Sequence, residues 1–218
     1  MSKGKIWRGF FYCLGLLVLA FGISLNTKTN LGVSPLISVS YSVAHICSAN
    51  FGNITFLWYV VFVLVQIGCH IATKRYRMIV SDILQIPLSM VFTRFLNVFA
   101  VLIPDMQGGM LPRILALLLA IVCTGAGIGL TLNARLILNP GDGIVQVLAD
   151  CSGKKVSTVK NVLDATCVVI TIIISLIFAG EIVGIGLGTI MAVIGVGRVV
   201  AIYNHFFKET QLKRSGIS

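Results

Sequence analysis

The sequence predicts an all-α polytopic membrane protein: six transmembrane helices plus two short re-entrant or broken helical segments, as two inverted repeats of three spans. Three observations lead there. The 218 residues are 57% hydrophobic and only 11% charged, with a mean hydropathy of +0.99, whereas soluble domains carry about 25% charged residues. Six apolar runs approach or exceed the roughly 20 residues needed to cross a hydrocarbon core. And a short phrase occurs twice, as Gly22-Ile23-Ser24-Leu25-Asn26-Thr27-Lys28 and as Gly129-Leu130-Thr131-Leu132-Asn133-Ala134-Arg135. Duplication in a membrane protein commonly means two structural repeats enclosing a site at their interface.

The six spans are expected at about 7–26, 54–73, 79–103, 111–132, 157–179 and 183–205. The first carries Lys3, Lys5 and Arg8 ahead of its apolar stretch, like a signal peptide. It lacks an A-x-A-type cleavage site and precedes many further spans, so an uncleaved first helix is expected. Lys74-Arg75-Tyr76-Arg77 separates the second and third spans, Pro104 to Pro112 separates the halves, and Gly180-Glu181 breaks the last pair. The expected repeats are 1–105, with a broken segment at 30–47, and 106–218, with a broken segment at 139–151. Both broken segments are too short or too polar for spans, yet too apolar for ordinary loops.

Charge decides whether those segments cross. With six spans and the amino terminus inside, twelve basic residues fall on the cytoplasmic side: Lys3, Lys5, Arg8, Lys74, Arg75, Arg77, Arg135, Lys154, Lys155, Lys208, Lys213 and Arg214. Only Lys28 and Arg113 fall outside. Eight spans would leave nine against five, so the bias toward cytoplasmic Lys and Arg favours six. The expected location is the bacterial inner membrane, multi-pass, with both termini cytoplasmic. The net charge of +10 therefore reads as membrane orientation, and no nucleic-acid partner is expected. Three spans per half is an odd number, so the halves would have opposite orientations. A weaker match aligns Asp82 through Arg94 with Gly186 through Arg198.

The first span leading into Asn30-Leu31-Gly32-Val33-Ser34-Pro35, and the later Asn139-Pro140-Gly141-Asp142-Gly143-Ile144, resemble the YczE/YyaS/YitT-type bacterial membrane proteins, nearest the YczE branch. The resemblance runs from about residue 8 to 205. It implies an integral protein of the bacterial inner membrane and supplies neither a substrate nor catalytic residues.

Irregular backbone at membrane depth survives only when buried in protein or lining a wet cavity. Ser34-Pro35 suits a helix start, with serine as N-cap and proline where no amide donor is needed. Asn139, Gly141 and Asp142 do the same around Pro140. Half-helices with such ends serve ion and substrate sites in transporters, although two interfacial connectors would use the same residues. Asn26 and Asn133 are the repeated polar residues, able to bind ligand, cap a helix or bridge helices. Lys28 and Arg135 are the matched cations, with snorkelling to headgroups the expected role of Lys28. The substrate-binding candidates are thus Asn26, Ser34, Asn133, Arg135, Asn139 and Asp142. Asp82, Arg94, Asp164 and Arg198 are the charges within apolar spans, where ionisable groups are paired or face a cavity. A pairing of Asp82 or Asp164 with Arg94 or Arg198 is one expectation.

The glycine runs Gly125-x-Gly127-x-Gly129 and Gly184-x-Gly186-x-Gly188 lack a following G-K-[ST] and lie in apolar stretches, which suits close helix packing. His45, His70 and His205 form no metal-ligand spacing, and the six cysteines read as buried small hydrophobes. No catalytic residue, metal or cofactor is expected, nor is enzymatic activity, because no nucleophile–base pair or carboxylate dyad is visible at a defined spacing. The expected partners are the lipid bilayer and a small-molecule or ion substrate; oligomeric state is not legible. The leading expectation is a small-solute transporter or exporter working by alternating access, the alternative a non-transporting accessory or regulatory membrane subunit.

Overall fold

Most helix ends fall where proline, glycine or charge interrupts the apolar runs, although Pro87 lies inside a long helix. A computed structural model describes residues 3–106 and 108–216, and these contain eight α-helices and no strand. They are α1 (Lys3–Lys28), α2 (Pro35–Ile46), α3 (Phe51–Ala72), α4 (Tyr76–Leu102), α5 (Met110–Ala134), α6 (Pro140–Ser152), α7 (Val156–Phe178) and α8 (Leu187–Ser215). The Lys3 side chain and residues 1, 2, 107, 217 and 218, which the expected repeats 1–105 and 106–218 include, lie outside the described part.

The six long helices are long and apolar enough to cross a membrane. The two short ones are not. At 1.5 Å per residue, α2 with 12 residues and α6 with 13 reach about 18–20 Å, against a core of about 30 Å. One span differs from expectation. Gly180 and Gly184, at φ 74° and 81°, hold 180–185 out of helix, so α8 starts at Leu187 rather than 183. It also continues to Ser215, because the Gln211 amide donates to the Leu130 carbonyl at 2.9 Å and accepts from the Tyr203 hydroxyl at 3.1 Å.

The chain divides into two compact units that interleave its halves. One comprises Pro35–Asn97 and Ile137–Ile185, which holds α2, α3, most of α4, α6 and α7. The other holds α1, α5, α8 and the end of α4.

In the α1–α5–α8 unit, small residues let helices approach closely. A methyl group placed on Gly22 would lie 2.6 Å from the Thr124 backbone nitrogen, one on Gly127 2.6 Å from that of Leu19, and one on Gly15 3.0 Å from that of Thr131. Partners rise on one helix as they fall on the other, so α1 and α5 run antiparallel. Gly195 against Ile121, Gly125 against Val199 and Gly129 against Tyr203 rise together, so α8 runs parallel to α5. Leu31, Leu117, Ile121, Ala192 and Val196 form an apolar cluster there. Gly125 and Gly129 thus pack helices as expected. Gly184 and Gly186 precede α8, and Gly188 meets the Leu31–Gly32 backbone instead.

In the other unit, Ser38–Thr171 and Ser42–Ser175 contacts (2.7 and 2.8 Å) show α2 running parallel to the second half of α7. Contacts of Gly141 with Tyr59, Gly143 with Gln66, and Cys151 with Cys69 show α6 running parallel to the second half of α3. Each short helix starts midway along a long one and finishes near its end. That is the geometry of a re-entrant segment.

Contacts recur between halves at a displacement of 105 positions. Gly22–Thr124 recurs as Gly127–Leu19, and Ser38–Thr171 as Gly143–Gln66. Arg8 bonds the Ala134 carbonyl through Nε at 2.6 Å and the Arg135 carbonyl through Nη2, while Arg113 bonds the Thr29 and Asn30 carbonyls at 2.6 Å each. Asn30 and Arg135 both adopt the left-handed conformation (φ 52° and 49°) that ends their helices. The duplicated phrase read from sequence is displaced by 107, so its partners shift by two. At the displacement of these contacts, Asn26 aligns with Thr131 and Arg135 with Asn30.

Cysteine burial also differs from expectation: of the six, Cys167 is buried, Cys69, Cys123 and Cys151 are intermediate, and Cys13 and Cys47 are exposed. Cys13 lies on α1 and Cys47 just past the end of α2.

Candidate functional site

The polar side chains of the α2–α3–α4–α6–α7 unit lie on inward stripes of its helices. On α3, Thr55, Tyr59, Gln66 and His70 are buried; on α4, Asp82, Gln85, Ser89 and Thr93; on α7, Asp164, Thr171 and Ser175; on α2, Ser38, Ser40 and Ser42. Spacings of three, four or seven residues put the α3, α4 and α7 sets each on one helix face, as they do Ser38 and Ser42 of α2. In hydrocarbon these groups must find partners within the protein, and most do.

His70 Nδ1 lies 2.6 Å from Asp82 Oδ2, with both side chains at most 4% exposed. One turn away, Gln66 and Gln85 exchange amide hydrogen bonds at 3.2 and 2.9 Å. Thr55 donates to Ser40 at 3.1 Å, and Trp58 Nε1 to the Leu36 carbonyl at 3.1 Å.

Above the Gln pair, the two short helices begin against each other. A methyl group placed on Gly141 would lie 3.8 Å from the Tyr59 hydroxyl and 3.9 Å from Leu36 Cδ1. Leu36 and Gly141 are the second residues of α2 and α6, so two helix N-termini, each carrying partial positive charge, converge here. Asn139 caps α6, its Oδ1 accepting from the Gly141 amide at 3.3 Å, and its side chain also meets the Tyr59 hydroxyl. Asp142, half-buried in the first turn of α6, answers that end electrostatically. It also feels the Lys160 ammonium. Lys160 itself bonds Asp164 Oδ2 at 3.0 Å, and Asp164 Oδ1 is buried with no hydrogen-bond partner.

The six expected substrate residues divide between the units. Asn139 and Asp142 lie at this convergence. In the other unit, Ser34 is half-buried ahead of Pro35. Asn26 is buried with Oδ1 unbonded. Asn133 donates to Asn204 Oδ1 at 2.9 Å. Arg135 is an exposed C-cap whose carbonyl serves Arg8, and Lys28 meets Asp105 at 3.0 Å instead of only reaching toward headgroups.

The expected pairing of Asp82 or Asp164 with Arg94 or Arg198 is corrected. Asp82 pairs with His70 and Asp164 with Lys160, while Arg94 and Arg198 sit on exposed faces of α4 and α8. The acids project inward with the polar stripes; the arginines fall on the opposite register of their helices. Sequence reading missed Tyr59, Gln66, His70, Gln85 and Lys160. Their signal was the stripe itself, polar residues recurring every three or four positions in apolar helices. Among the described residues, no cluster of three His, Cys, Asp or Glu side chains could hold a metal ion.

Comparison with known proteins agrees with this membrane architecture. Residues 6–205 match the model of a family described as a family of unknown function, DUF6198. The chain is also similar to the "Uncharacterized membrane protein YczE" of Bacillus subtilis (strain 168), 27% identical over 203 residues, which is 92% of this chain and 86% of that one. No solved structure matches. A family model covering nearly the whole chain, a YczE relative and six apolar spans converge on one assignment: the chain belongs to the DUF6198 family of YczE-like multi-pass membrane proteins.

Proposed function

We propose that the protein moves an unidentified small solute across the bacterial inner membrane by alternating access between two inverted repeats, with both termini cytoplasmic. The observation that carries this reading is the convergence of the α2 and α6 N-termini at Leu36 and Gly141, partway along α7 and α3, among buried polar groups. Discontinuous helices of this kind supply transporters with site groups at membrane depth, and polar side chains in spans usually mark solute or ion pathways. The antiparallel α1–α5 pair and the contacts recurring 105 positions apart support two copies of opposite orientation.

The reading places solute at the convergence, where Asn139, Asp142 and the Tyr59 hydroxyl offer donors and acceptors. Purified protein in proteoliposomes should take up or release members of a broad panel of small solutes, and Asn139→Ala should reduce the flux. Correctly inserted protein that moves none of them, and co-purifies with another membrane complex instead, would favour an accessory subunit.

A further inference from the structure

We propose that Asp164 is a proton-carrying carboxylate, with Lys160 exchanging between Asp164 and Asp142 as the proton arrives and leaves. The inference rests on the transporter reading for its purpose but not for its geometry.

Lys160 is ion-paired with Asp164, and the packing of α6 on α7 brings Asp142 within electrostatic reach of the same ammonium. Lys160 bonds only Asp164 Oδ2, at 3.0 Å, and Asp164 Oδ1 is buried without a partner. Asp142 acts on the same ammonium and has a second source of compensation, the N-terminus of its own helix. Asp164 has none. The contacts of α2 with α7 place Asp164 about one turn beyond the start of α2, off the end of that helix. An ionised carboxylate oxygen left unbonded in such a place is costly. A proton from bulk water on Oδ1 removes that charge, and Lys160 can then turn to Asp142. Release of the proton to water returns Lys160 to Asp164. No other reactant is consumed.

The titratable groups around Asp164 are few. On α7 itself they are Lys160 and the thiol Cys167, three residues beyond Asp164. On α6, which packs against α7, they are Asp142, with Asp150 and Cys151 two turns or more further along. The first two turns of α2, Pro35–Tyr41, carry only Tyr41 at their far end. Lys160 is 36% exposed at its side chain, against 6% for Asp164, so the ammonium has room to swing while the carboxylate does not. Lys160 and Asp164 are four residues apart on one helix face, so the exchange needs only side-chain rotation.

The test is infrared difference spectroscopy of the protein in lipid nanodiscs as pH is lowered. A carbonyl band of a protonated, weakly hydrogen-bonded carboxyl should grow, shift in deuterated buffer, vanish in Asp164→Asn and persist in Asp82→Asn. Asp164→Glu should restore it at a displaced frequency, and Lys160→Met should move its midpoint. No such band, or one that survives Asp164→Asn in monodisperse protein, overturns the proposal. Solute flux without the band would sink this inference alone. The band without flux across the solute panel would sink the transporter reading and leave the proton site standing.

Discussion

The two units of the molecule solve the same problem by opposite means. In the α1–α5–α8 unit, helices meet through glycines and small residues, with a methyl group's width or less to spare at Gly15, Gly22, Gly125, Gly127 and Gly129. Side-chain hydrogen bonds there lie mainly toward helix ends, as in the two arginine forks. In the α2–α3–α4–α6–α7 unit, hydroxyls, amides and ion pairs line the helix–helix contacts. Lipid offers little hydrophobic drive for helices to associate, so close backbone packing holds the first kind of unit together. Polar contacts of the second kind are poor glue, averaging well under 1 kcal/mol in comparable proteins. Their burial makes better sense as function than as stability.

The comparison breaks first at the His70–Asp82 pair. Asp82→Ala leaves a buried imidazole without its carboxylate and should cost about 3–5 kcal/mol in unfolding experiments in mixed micelles, whereas replacing both residues by Leu should recover most of the loss. A double variant as unstable as the single one would contradict a role other than stability.

Glycine packing should come next. Gly22→Val and Gly127→Val each force a side chain against backbone and should cost at least about 1–3 kcal/mol, to similar extents, because a methyl group at either would lie 2.6 Å from a backbone nitrogen of the partner helix. Gly141→Ala meets only ordinary contacts at 3.8 Å and beyond, so it should keep stability while altering flux. Unequal losses at Gly22 and Gly127 would contradict this reading.

A smaller effect is expected at the amide pair. Gln66→Leu strands Gln85 and should cost about 1–3 kcal/mol, with Gln66→Leu/Gln85→Leu close to neutral. The smallest should be at the forks. Arg8→Lys and Arg113→Lys each lose two-pronged bonding to helix-end carbonyls and should lower stability by about 1 kcal/mol, again in matched amounts.

Much of the fold was legible because interruption is local chemistry. Ser34-Pro35 and Asn139-Pro140 mark where the short helices begin, and their lengths forbid crossing. The Lys74–Arg77 and Pro104–Pro112 breaks likewise coincide with the α3–α4 and α4–α5 junctions, running into the first turns of α4 and α5. The start of α8 was missed because the apolar run resumes at Ile182, right after Glu181, while the positive φ of Gly180 and Gly184 holds the stretch out of helix. The duplicated phrase is displaced by 107 residues and the two arginine forks by 105, since apolar helices rich in glycine align at several offsets. The forks join residues that are far apart in sequence, so their offset is not legible there. Partner choice failed for the same reason. Asp82 lies equally far in sequence from His70 and from Arg94, and which side of α4 faces inward depends on the whole stripe from Asp82 to Thr93.

The central claim is that α2 and α6 begin inside the membrane in a place water can reach. In protein with its six cysteines replaced, Leu36→Cys and Gly141→Cys should react with a membrane-impermeant thiol reagent, more slowly than Asn50→Cys and Lys154→Cys beyond the helix ends. If both interior positions stay unmodified while the two controls react, the convergence is sealed and the account of a solute pathway is contradicted.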